Sequence, residues 1–435
     1  MDIVRGLIGI LFLVAISWVF SSNRKAINWP LVIKGIALQL ILAVLVLKVD
    51  FVAVIFDYLG KGFVKVIGFT DFGSNFLLRS FTDGQVAPGL LNFAFKILPT
   101  IVFFSALTAL LYHLRILQLV VYAFAWVMKY TLKLSGAESL AAAGNIFLGQ
   151  TETPLLIKPY LQGMTKSEIL CLMTGGMATI AGGVLASYIN FLGGDDPASR
   201  LAFAKHLLTA SIMSAPAAIV AAKMLFPETE QFNKDMKLSN EGNGANALEA
   251  IANGTSDGLK LAVNVGGMLL VFTAFIYMGN WILSDLIGRF TGLNDIIAAN
   301  TGYDSLSFQF ILGYIGAPIA WLMGVCSADI LAVGQLIGEK TILNEFYAYV
   351  TLGEMKNAAT VVPGGIGIFH EEKSMILATY ILCGFSNFAS IGIQIGGIGT
   401  LIPTRKSLLS TLGFRALLGG TIACLFTAAV VGIFL

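Results

Sequence analysis

Residues 144–154 read GNIFLGQTETP and residues 340–349 read KTILNEFYAY, and each stretch is a polar island in an apolar chain. The chain has 435 residues, of which 57% are hydrophobic and 12% are charged. A charge at the bilayer centre costs roughly 2.5–3.5 kcal/mol on insertion scales. Polar groups kept at that cost usually face a partner, a solute or water. The two islands therefore predict a polar site inside a membrane-embedded fold, of the kind that a transporter needs for its solute.

The overall composition indicates the broad class of the chain. Its mean hydropathy of +0.83 predicts an all-α polytopic membrane protein, because the short alternating segments of a transmembrane β-barrel do not appear. A net charge of +2 gives no strong field, so no nucleic acid partner is expected. The four cysteines stand singly in apolar stretches and predict small core residues, not metal ligands or disulfides. A lipid bilayer is the expected environment.

The apolar segments predict about eight transmembrane helices, since a span needs about 20 apolar residues. The first helix is expected to be retained, because no small-residue cleavage site follows it. Residues 48–85 mix charged and apolar side chains and predict amphipathic helices on the membrane surface. The placement of Lys and Arg favours both termini outside. The predicted spans are residues 3–21, 30–49, 90–112, 167–191, 202–225, 261–288, 374–401 and 411–435.

The two halves of the chain repeat the same order of segments. In the orientation favoured above the two units enter the membrane from opposite sides, which makes them an inverted repeat. The short interrupted segments of such repeats point to a binding site near the bilayer midplane. We assign residues 1–112 to scaffold helices and a surface region, 113–225 to a first repeat with a re-entrant hairpin at 136–163, 226–260 to a cytoplasmic linker, and 261–435 to a second repeat with a hairpin at 327–352.

The first hairpin is predicted to break near its polar island. Pro154 removes a backbone donor and biases the preceding residue away from helix, while Gly149 permits unusual dihedral angles. Such a break is tolerated only where it is buried in protein or lines a wet cavity. It would expose backbone groups beside Gln150, Thr151 and Glu152, a cluster suited to a polar planar solute. The alternative is a hydrogen-bond network that merely joins helices.

The second hairpin carries a similar island, with Asn344 and Glu345 after Lys340. Lys340 and Glu345 could form an ion pair, which would make Glu345 purely structural. A spacing of five residues is poor for pairing on a helix, where neighbours lie three or four apart. We therefore favour a free Glu345 that faces a ligand.

A glycine-rich span follows each hairpin. Residues 173–183 and 384–392 contain too much glycine, or too many polar groups, for regular spans. Unwound backbone there would offer carbonyl oxygens, the hard ligands that Na⁺ prefers. Each span taken alone could instead reflect close packing by small residues. Their paired occurrence behind the two hairpins favours a functional role.

These residues resemble the concentrative nucleoside transporters. The resemblance covers nearly the whole chain from about residue 90, and the eight-span layout is similar to that of bacterial members. Its motifs are GQTETP at 149–154, LIKPYL at 156–161, NEF at 344–346, GFSNFASIGI at 384–393 and IGTLIP-x-RK at 398–406.

The resemblance implies a cation-coupled nucleoside symporter that works by alternating access, with Na⁺ as the favoured ion. The chemistry of the residues fits a nucleoside apart from the resemblance. A carboxylate can accept hydrogen bonds from both hydroxyls of a ribose diol, and side-chain amides can pair with the edge of a base. The residues implied for the base are Gln150, Thr151, Glu152, Val184 and Phe385; those for the ribose are Glu345, Asn387 and Ser390; those for Na⁺ are the side chains of Asn145 and Thr179 with the carbonyls of Leu148 and Ile180.

The resemblance also implies further properties of the assembly. These are a homotrimer with an elevator-like transport domain and a multi-pass location in the bacterial inner membrane. Coupling to H⁺ instead of Na⁺ stays open, because some bacterial relatives use protons.

Two other functions deserve comparison with this one. An intramembrane enzyme would need a nucleophile with a base nearby, and none of the three histidines accompanies a hairpin island. A symporter for an anionic solute would call for Arg or Lys at the site, whereas the islands offer Glu152 and Glu345. A symporter for another neutral polar solute remains the main alternative.

Overall fold

The computed structural model describes residues 2–80, 86–87, 93–194, 196–236, 244–358 and 365–435. Within these ranges the chain is helical, and extended pairing is limited to two isolated β-bridges. The prediction of an all-α fold is therefore confirmed. The helices of the first half are α1 Asp2–Val19, α2 Trp29–Lys48, α3 Asp50–Leu78, α4 Phe93–Lys96, α5 Leu98–His113, α6 Ile116–Leu132, α7 Gly136–Asn145, α8 Thr153–Leu156, α9 Lys158–Leu161, α10 Lys166–Ala178, α11 Gly182–Gly193 and α12 Pro197–Leu225.

The second half begins with α13, a 35-residue helix that continues through a π-helical stretch at Ile282–Gly288. Since α13 starts at Ala247, the span predicted from residue 261 begins earlier, and the second part of 226–260 is helical. The division into a linker and two repeats stays a prediction. The helices are α13 Ala247–Trp281, α14 Arg289–Thr291, α15 Leu293–Asn300, α16 Phe308–Leu322, α17 Ile330–Ile342, α18 Glu345–Lys356, α19 Glu372–Leu382, α20 Phe388–Leu401 and α21 Lys406–Phe434.

The number of membrane spans can be compared with the eight predicted. Five helical segments in the described residues are long and apolar enough to cross a membrane, and α5 with α6 makes a sixth if this pair, bent by 76°, is one span. The chain is thus a multi-pass membrane protein. Helices α1, α16 and α20 are apolar but shorter, so the count of eight stays a prediction.

The expectation of several amphipathic helices over residues 48–85 is wrong in one respect. The structure has a single continuous helix, α3, of 29 residues, while residues 81–85 lie outside the described ranges. Helix α3 packs along α12, where the carboxylate of Asp57 is 2.5 Å from the ammonium of Lys205. Asp57, one of the charged residues that suggested separate surface helices, therefore forms an ion pair with the neighbouring helix.

Two helical hairpins and two broken helices form the centre of the fold. The first hairpin runs from α7 through a non-helical turn into α8 and α9, and the second from α17 through Leu343 and Asn344 into α18. The breaks separate α10 from α11 and α19 from α20. Both breaks meet at Cys424 of α21, whose sulfur lies 3.0 Å from the carbonyl oxygen of Cys383 and 3.7 Å from that of Ala178.

A buried ion cluster fixes the base of the first hairpin. The ammonium of Lys223 on α12 pairs with Glu138 on α7, donates to the Ser167 hydroxyl of α10 at 2.9 Å, and lies 3.4 Å from Glu228. Lys223 and Glu138 are almost fully buried. Because a buried charge without a partner is strongly destabilising, this cluster ties the hairpin to both neighbouring helices.

Candidate functional site

The tip of the first hairpin is a turn held by one of its own carboxylates. Oε2 of Glu152 accepts from the backbone N–H of Gly149 at 3.1 Å, which closes the turn around Gln150 and Thr151. Helix α8 then restarts with Pro154 in its first turn, where the missing N–H of proline is no loss. The predicted break at Gly149 and Pro154 is where the turn lies, and it brings three polar side chains to the tip.

The tip of the second hairpin presents Glu345 as the first residue of α18. Asn344 caps this helix, since its Oδ1 accepts from the Tyr347 N–H at 2.9 Å. Glu345 is only 3% exposed. Its Oε2 accepts from Nδ2 of Asn387 at 2.6 Å, and its Oε1 accepts from the Tyr188 hydroxyl at 3.3 Å. Burial and two donors fix the carboxylate in one orientation.

Lys340 does not neutralise this carboxylate. Its ammonium donates to the carbonyl of Ile381 at 2.8 Å, near the end of α19, where a cation meets the negative end of the helix dipole. No ion pair between Lys340 and Glu345 occurs in the described part of the chain. The geometry agrees with the interpretation of Glu345 as a residue free to meet a ligand.

The break between α19 and α20 brings a third set of polar groups to the same place. Asn387 caps α20 by accepting from the Ser390 N–H at 2.9 Å. The Ser390 hydroxyl in turn accepts from the side-chain amide of Gln150 at 3.2 Å. This bond connects the tip of the first hairpin to the second break across 240 residues of sequence.

All eight residues predicted for substrate binding line one cavity of about 380 Å³. The cavity lies between the two hairpin tips, the two breaks and α13. Its volume lies within the usual range of small-molecule sites. None of the described lining residues is Lys, Arg or His. The eight residues are Gln150, Thr151, Glu152, Val184, Glu345, Phe385, Asn387 and Ser390.

Several cavity residues were missed by the sequence analysis. Helix α13 contributes Leu261, Asn264, Val265 and Met268 to one wall, and the three apolar residues among them carry no signal of this in the sequence. Tyr188, which bonds Glu345 from α11, was also missed. A single polar residue in an apolar span, as at Asn264, is the one signal that could have been used.

Asn145 is the first of the four groups predicted for Na⁺. Asn145 is 1% exposed, and its Oδ1 has no hydrogen-bond partner among the described residues. Its amide nitrogen faces the other way, toward the Leu172 carbonyl at 3.5 Å. A buried acceptor left without a donor costs about 1–3 kcal/mol, so a cation ligand would fit this atom.

The other three groups lie in the turn and the break beside Asn145. Thr179 ends α10, and its hydroxyl donates to the Gly175 carbonyl at 2.8 Å. Gly175 itself packs on Asn145, because a methyl group at that position would lie 2.6 Å from Nδ2. Leu148 and Ile180 are outside helices, so their carbonyls are not committed to a helical ladder. An amide, a hydroxyl and two carbonyls are the hard oxygen donors that suit an alkali cation, so the residues fit the ion.

Comparison with known proteins places the chain in a family. Residues 206–432 match the model of the Na⁺-dependent nucleoside transporter C-terminus, residues 8–81 match that of its N-terminus, and residues 94–195 match a nucleoside recognition, or Gate, model. The chain is 38% identical over 438 residues to the uncharacterized transporter YutK of Bacillus subtilis, covering 100% of both chains. It is 40% identical to mouse solute carrier family 28 member 3, covering 98% of this chain but 58% of that protein.

Solved structures show the same fold. The structure of CNTnw in an inward-facing substrate-bound state aligns with a TM-score of 0.86 and 34% identity, covering 100% of this chain and 98% of that one. A variant of CNTnw in an outward-facing state aligns with a TM-score of 0.88 and 33% identity over the same shares. These relatives are transporters and not enzymes. From its family models, its full-length bacterial relative and its fold, the chain belongs to the Na⁺-dependent nucleoside transporter family.

Proposed function

We propose that this protein is a cation-coupled nucleoside symporter that imports nucleosides by alternating access. The observation that carries the proposal is the cavity itself, where two carboxylates and several amides and hydroxyls, but no cationic side chain among the described lining residues, surround about 380 Å³. Such a lining repels anions and suits a neutral solute rich in hydroxyl groups. The inward-facing and outward-facing structures of CNTnw support two access states for this fold.

The ribose is assigned to the side of the cavity formed by Glu345, Asn387 and Ser390. Glu345 is acceptor-only when ionised, and two vicinal hydroxyls can donate to one carboxylate together. Asn387 fixes this carboxylate with its 2.6 Å hydrogen bond. This hydrogen bond offsets part of the free energy lost by burying the charge, and hydrogen bonds from the ribose hydroxyls would offset more of it.

The base is assigned to the tip of the first hairpin. Gln150, Thr151 and Glu152 offer hydrogen bonds to the edge of a planar ring, while Val184 and Phe385 offer apolar contact to its faces. Aromatic and apolar faces suit a flat base, which keeps its polar groups at the edge. The cavity therefore separates a polar end for sugar from a mixed end for base.

Na⁺ is the favoured coupling ion and would be held by Asn145, Thr179 and the carbonyls of Leu148 and Ile180. When bound, it supplies a positive charge between the first hairpin and the first break. Asn145 is the last residue of α7 in the hairpin and Thr179 directly follows α10, so an ion bound to both oxygens would hold these two elements together. H⁺ coupling is the second candidate.

We also propose a homotrimer in a bacterial inner membrane, on the strength of the family alone.

Uptake of radiolabelled uridine into proteoliposomes tests the proposal. An imposed Na⁺ gradient, a proton gradient and no gradient are compared with the same folded protein. Uptake driven by Na⁺ supports the whole assignment, and uptake driven only by protons keeps the nucleoside and removes the Na⁺ site. No nucleoside uptake under either gradient would contradict the function and favour another neutral polar solute.

A further inference from the structure

Gln394 lies behind the cavity without lining it. This residue of α20 is fully buried, and its side-chain nitrogen makes two hydrogen bonds. Nε2 donates to the backbone carbonyl of Met173 at 2.9 Å and to Oε1 of Gln150 at 3.1 Å. Gln394 therefore touches the residue assigned to the base without touching the base itself.

The directions of these bonds follow from one backbone atom. The Met173 carbonyl can only accept, so Gln394 must turn its NH₂ group toward it. The same NH₂ group faces Gln150, so the side-chain oxygen of Gln150 must be the atom that accepts its hydrogen bond. Amide orientation is normally inferred from the hydrogen-bond network, and here a group that cannot be reversed fixes it. A reversed Gln394 would set two acceptors against each other.

The result is a fixed polarity for Gln150. Its Oε1 is occupied by Gln394, and one hydrogen of its NH₂ group is given to Ser390. The second hydrogen of that NH₂ group is left for the cavity, which Gln150 lines. Beside it, Glu152 uses Oε2 for the Gly149 backbone and keeps Oε1 as an acceptor. The tip thus offers a donor next to an acceptor.

The packing around Gln394 is arranged to allow these contacts. A methyl group at Gly176 of α10 would lie 2.9 Å from both Nε2 of Gln394 and Cβ of Gln150, so only glycine lets the two side chains meet here. Oε1 of Gln394 has no hydrogen-bond partner among the described residues. An unpaired buried acceptor lowers stability, so this side chain is a costly choice for mere packing.

We infer that Gln394 is a positioning residue that sets base specificity, by fixing Gln150 as a hydrogen-bond donor toward the cavity. The inference rests on the proposed nucleoside function. A donor beside an acceptor complements a base edge with a carbonyl beside an N–H, as in uracil and hypoxanthine. Cytosine presents an amine beside a bare ring nitrogen, which sets donor against donor and acceptor against acceptor.

The test compares uridine and cytidine, which share the ribose and differ at this base edge. KM is measured for both in the full chain and in Gln394→Met, which keeps the length of the side chain but has no donor. Wild type should prefer uridine by about tenfold, the discrimination expected from the net value of one or two neutral hydrogen bonds. In Gln394→Met the Gln150 amide is free to turn over, and the cytidine-to-uridine KM ratio should fall at least about threefold.

Gln39→Met is the matched control. Gln39 is also fully buried, donates Nε2 to a backbone carbonyl, that of Met213 at 3.1 Å, and has an unpartnered Oε1. It is absent from the cavity lining, so its substitution should leave the KM ratio unchanged. If Gln394→Met does not fold, Gln394→Glu preserves size and polarity but has at most one proton to donate, and the ratio should fall there too.

The outcomes separate the two claims. An unchanged ratio in a transporting Gln394 variant, or an equal change in Gln39→Met, overturns the role of Gln394 and leaves nucleoside transport intact. Wild-type protein that prefers cytidine overturns the assigned polarity of Gln150. Wild-type protein that transports no nucleoside overturns the proposed function, and the specificity assignment falls with it.

Discussion

The side-chain amide of Asn387 donates a 2.6 Å hydrogen bond to Oε2 of Glu345, and this bond joins the break between α19 and α20 to the tip of the second hairpin. The same side chain caps α20 through its oxygen. One residue therefore fixes a helix N-terminus and the orientation of a buried carboxylate. Changes on either side of this bond are expected to act on the ribose end of the cavity.

Asn387→Asp should weaken uridine binding strongly. The substitution keeps a cap for α20 but replaces the donor to Glu345 with a second carboxylate, and the loss of a hydrogen bond to a charged group costs about 1.5–3 kcal/mol. KM for uridine should rise roughly 10- to 100-fold. Asn387→Ser keeps a cap without adding charge and should have the smaller effect. Equal KM values for uridine in Asn387→Asp and in the wild-type protein would contradict the role given to this bond.

Glu345→Gln should remove discrimination by the ribose hydroxyls. Wild type is expected to bind uridine better than 3′-deoxyuridine by about tenfold, the value of one hydrogen bond to a charged group, and the variant should bind both equally weakly. Competition uptake assays measure both affinities. Glu339→Gln is the control, because Glu339 is a buried carboxylate of the same hairpin that does not line the cavity. A Glu345 variant that still prefers uridine would place the ribose elsewhere.

Asn145→Ala should raise the Na⁺ concentration needed for half-maximal uptake, by about tenfold or more for the loss of one ligand of a small site. The nucleoside KM measured at saturating Na⁺ should change less. Asn190→Ala serves as the comparison, since Asn190 is another buried asparagine with an unpartnered Oδ1. Unchanged Na⁺ dependence in Asn145→Ala would rule out the proposed ion site.

Gly384→Ala should abolish transport. Gly384 has a φ of +143°, which L-residues with a side chain rarely adopt, and an added methyl group would lie 2.8 Å from the backbone of Ala178 and from the Cys424 sulfur. Gly392→Ala, in α20, meets nothing within 4 Å and should transport normally. Both variants are compared by initial uptake rate and thermal stability. Normal transport by Gly384→Ala would show that the two breaks need not approach so closely.

Lys223→Met should destabilise the fold without touching the cavity. It leaves Glu138 buried with no cation, which typically costs 3–5 kcal/mol, and the thermal midpoint of the purified protein should fall clearly. Adding Glu138→Gln should recover part of the loss. Lys260→Met removes only an exposed pair with Asp257, where little change is expected. Equal stability of Lys223→Met and wild type would mean that the cluster contributes nothing.

The sequence predicted those parts of the site that depend on local signals. Gly149 and Pro154 mark the turn of the first hairpin, and the glycines before Thr179 mark the first break, because these residues act on their own backbone. Asn264 and Gln394 were not predicted, because their roles depend on which helix packs beside them. The sequence predicts several helices where the structure has the single helix α3, for a related reason. Its charged side chains look solvent-exposed in sequence, whereas Asp57 pairs with Lys205 of another helix.

The absence of Lys and Arg from the described lining of the cavity has a consequence for the cell. Phosphorylation adds about −1.5 to −2 charge at pH 7, so a nucleotide would meet Glu152 and Glu345 as an anion in an acidic chamber. A kinase acting on the imported molecule would therefore prevent its return by the same route. Retention would be achieved by metabolism outside the protein, and the carrier would need no separate device to stop leakage.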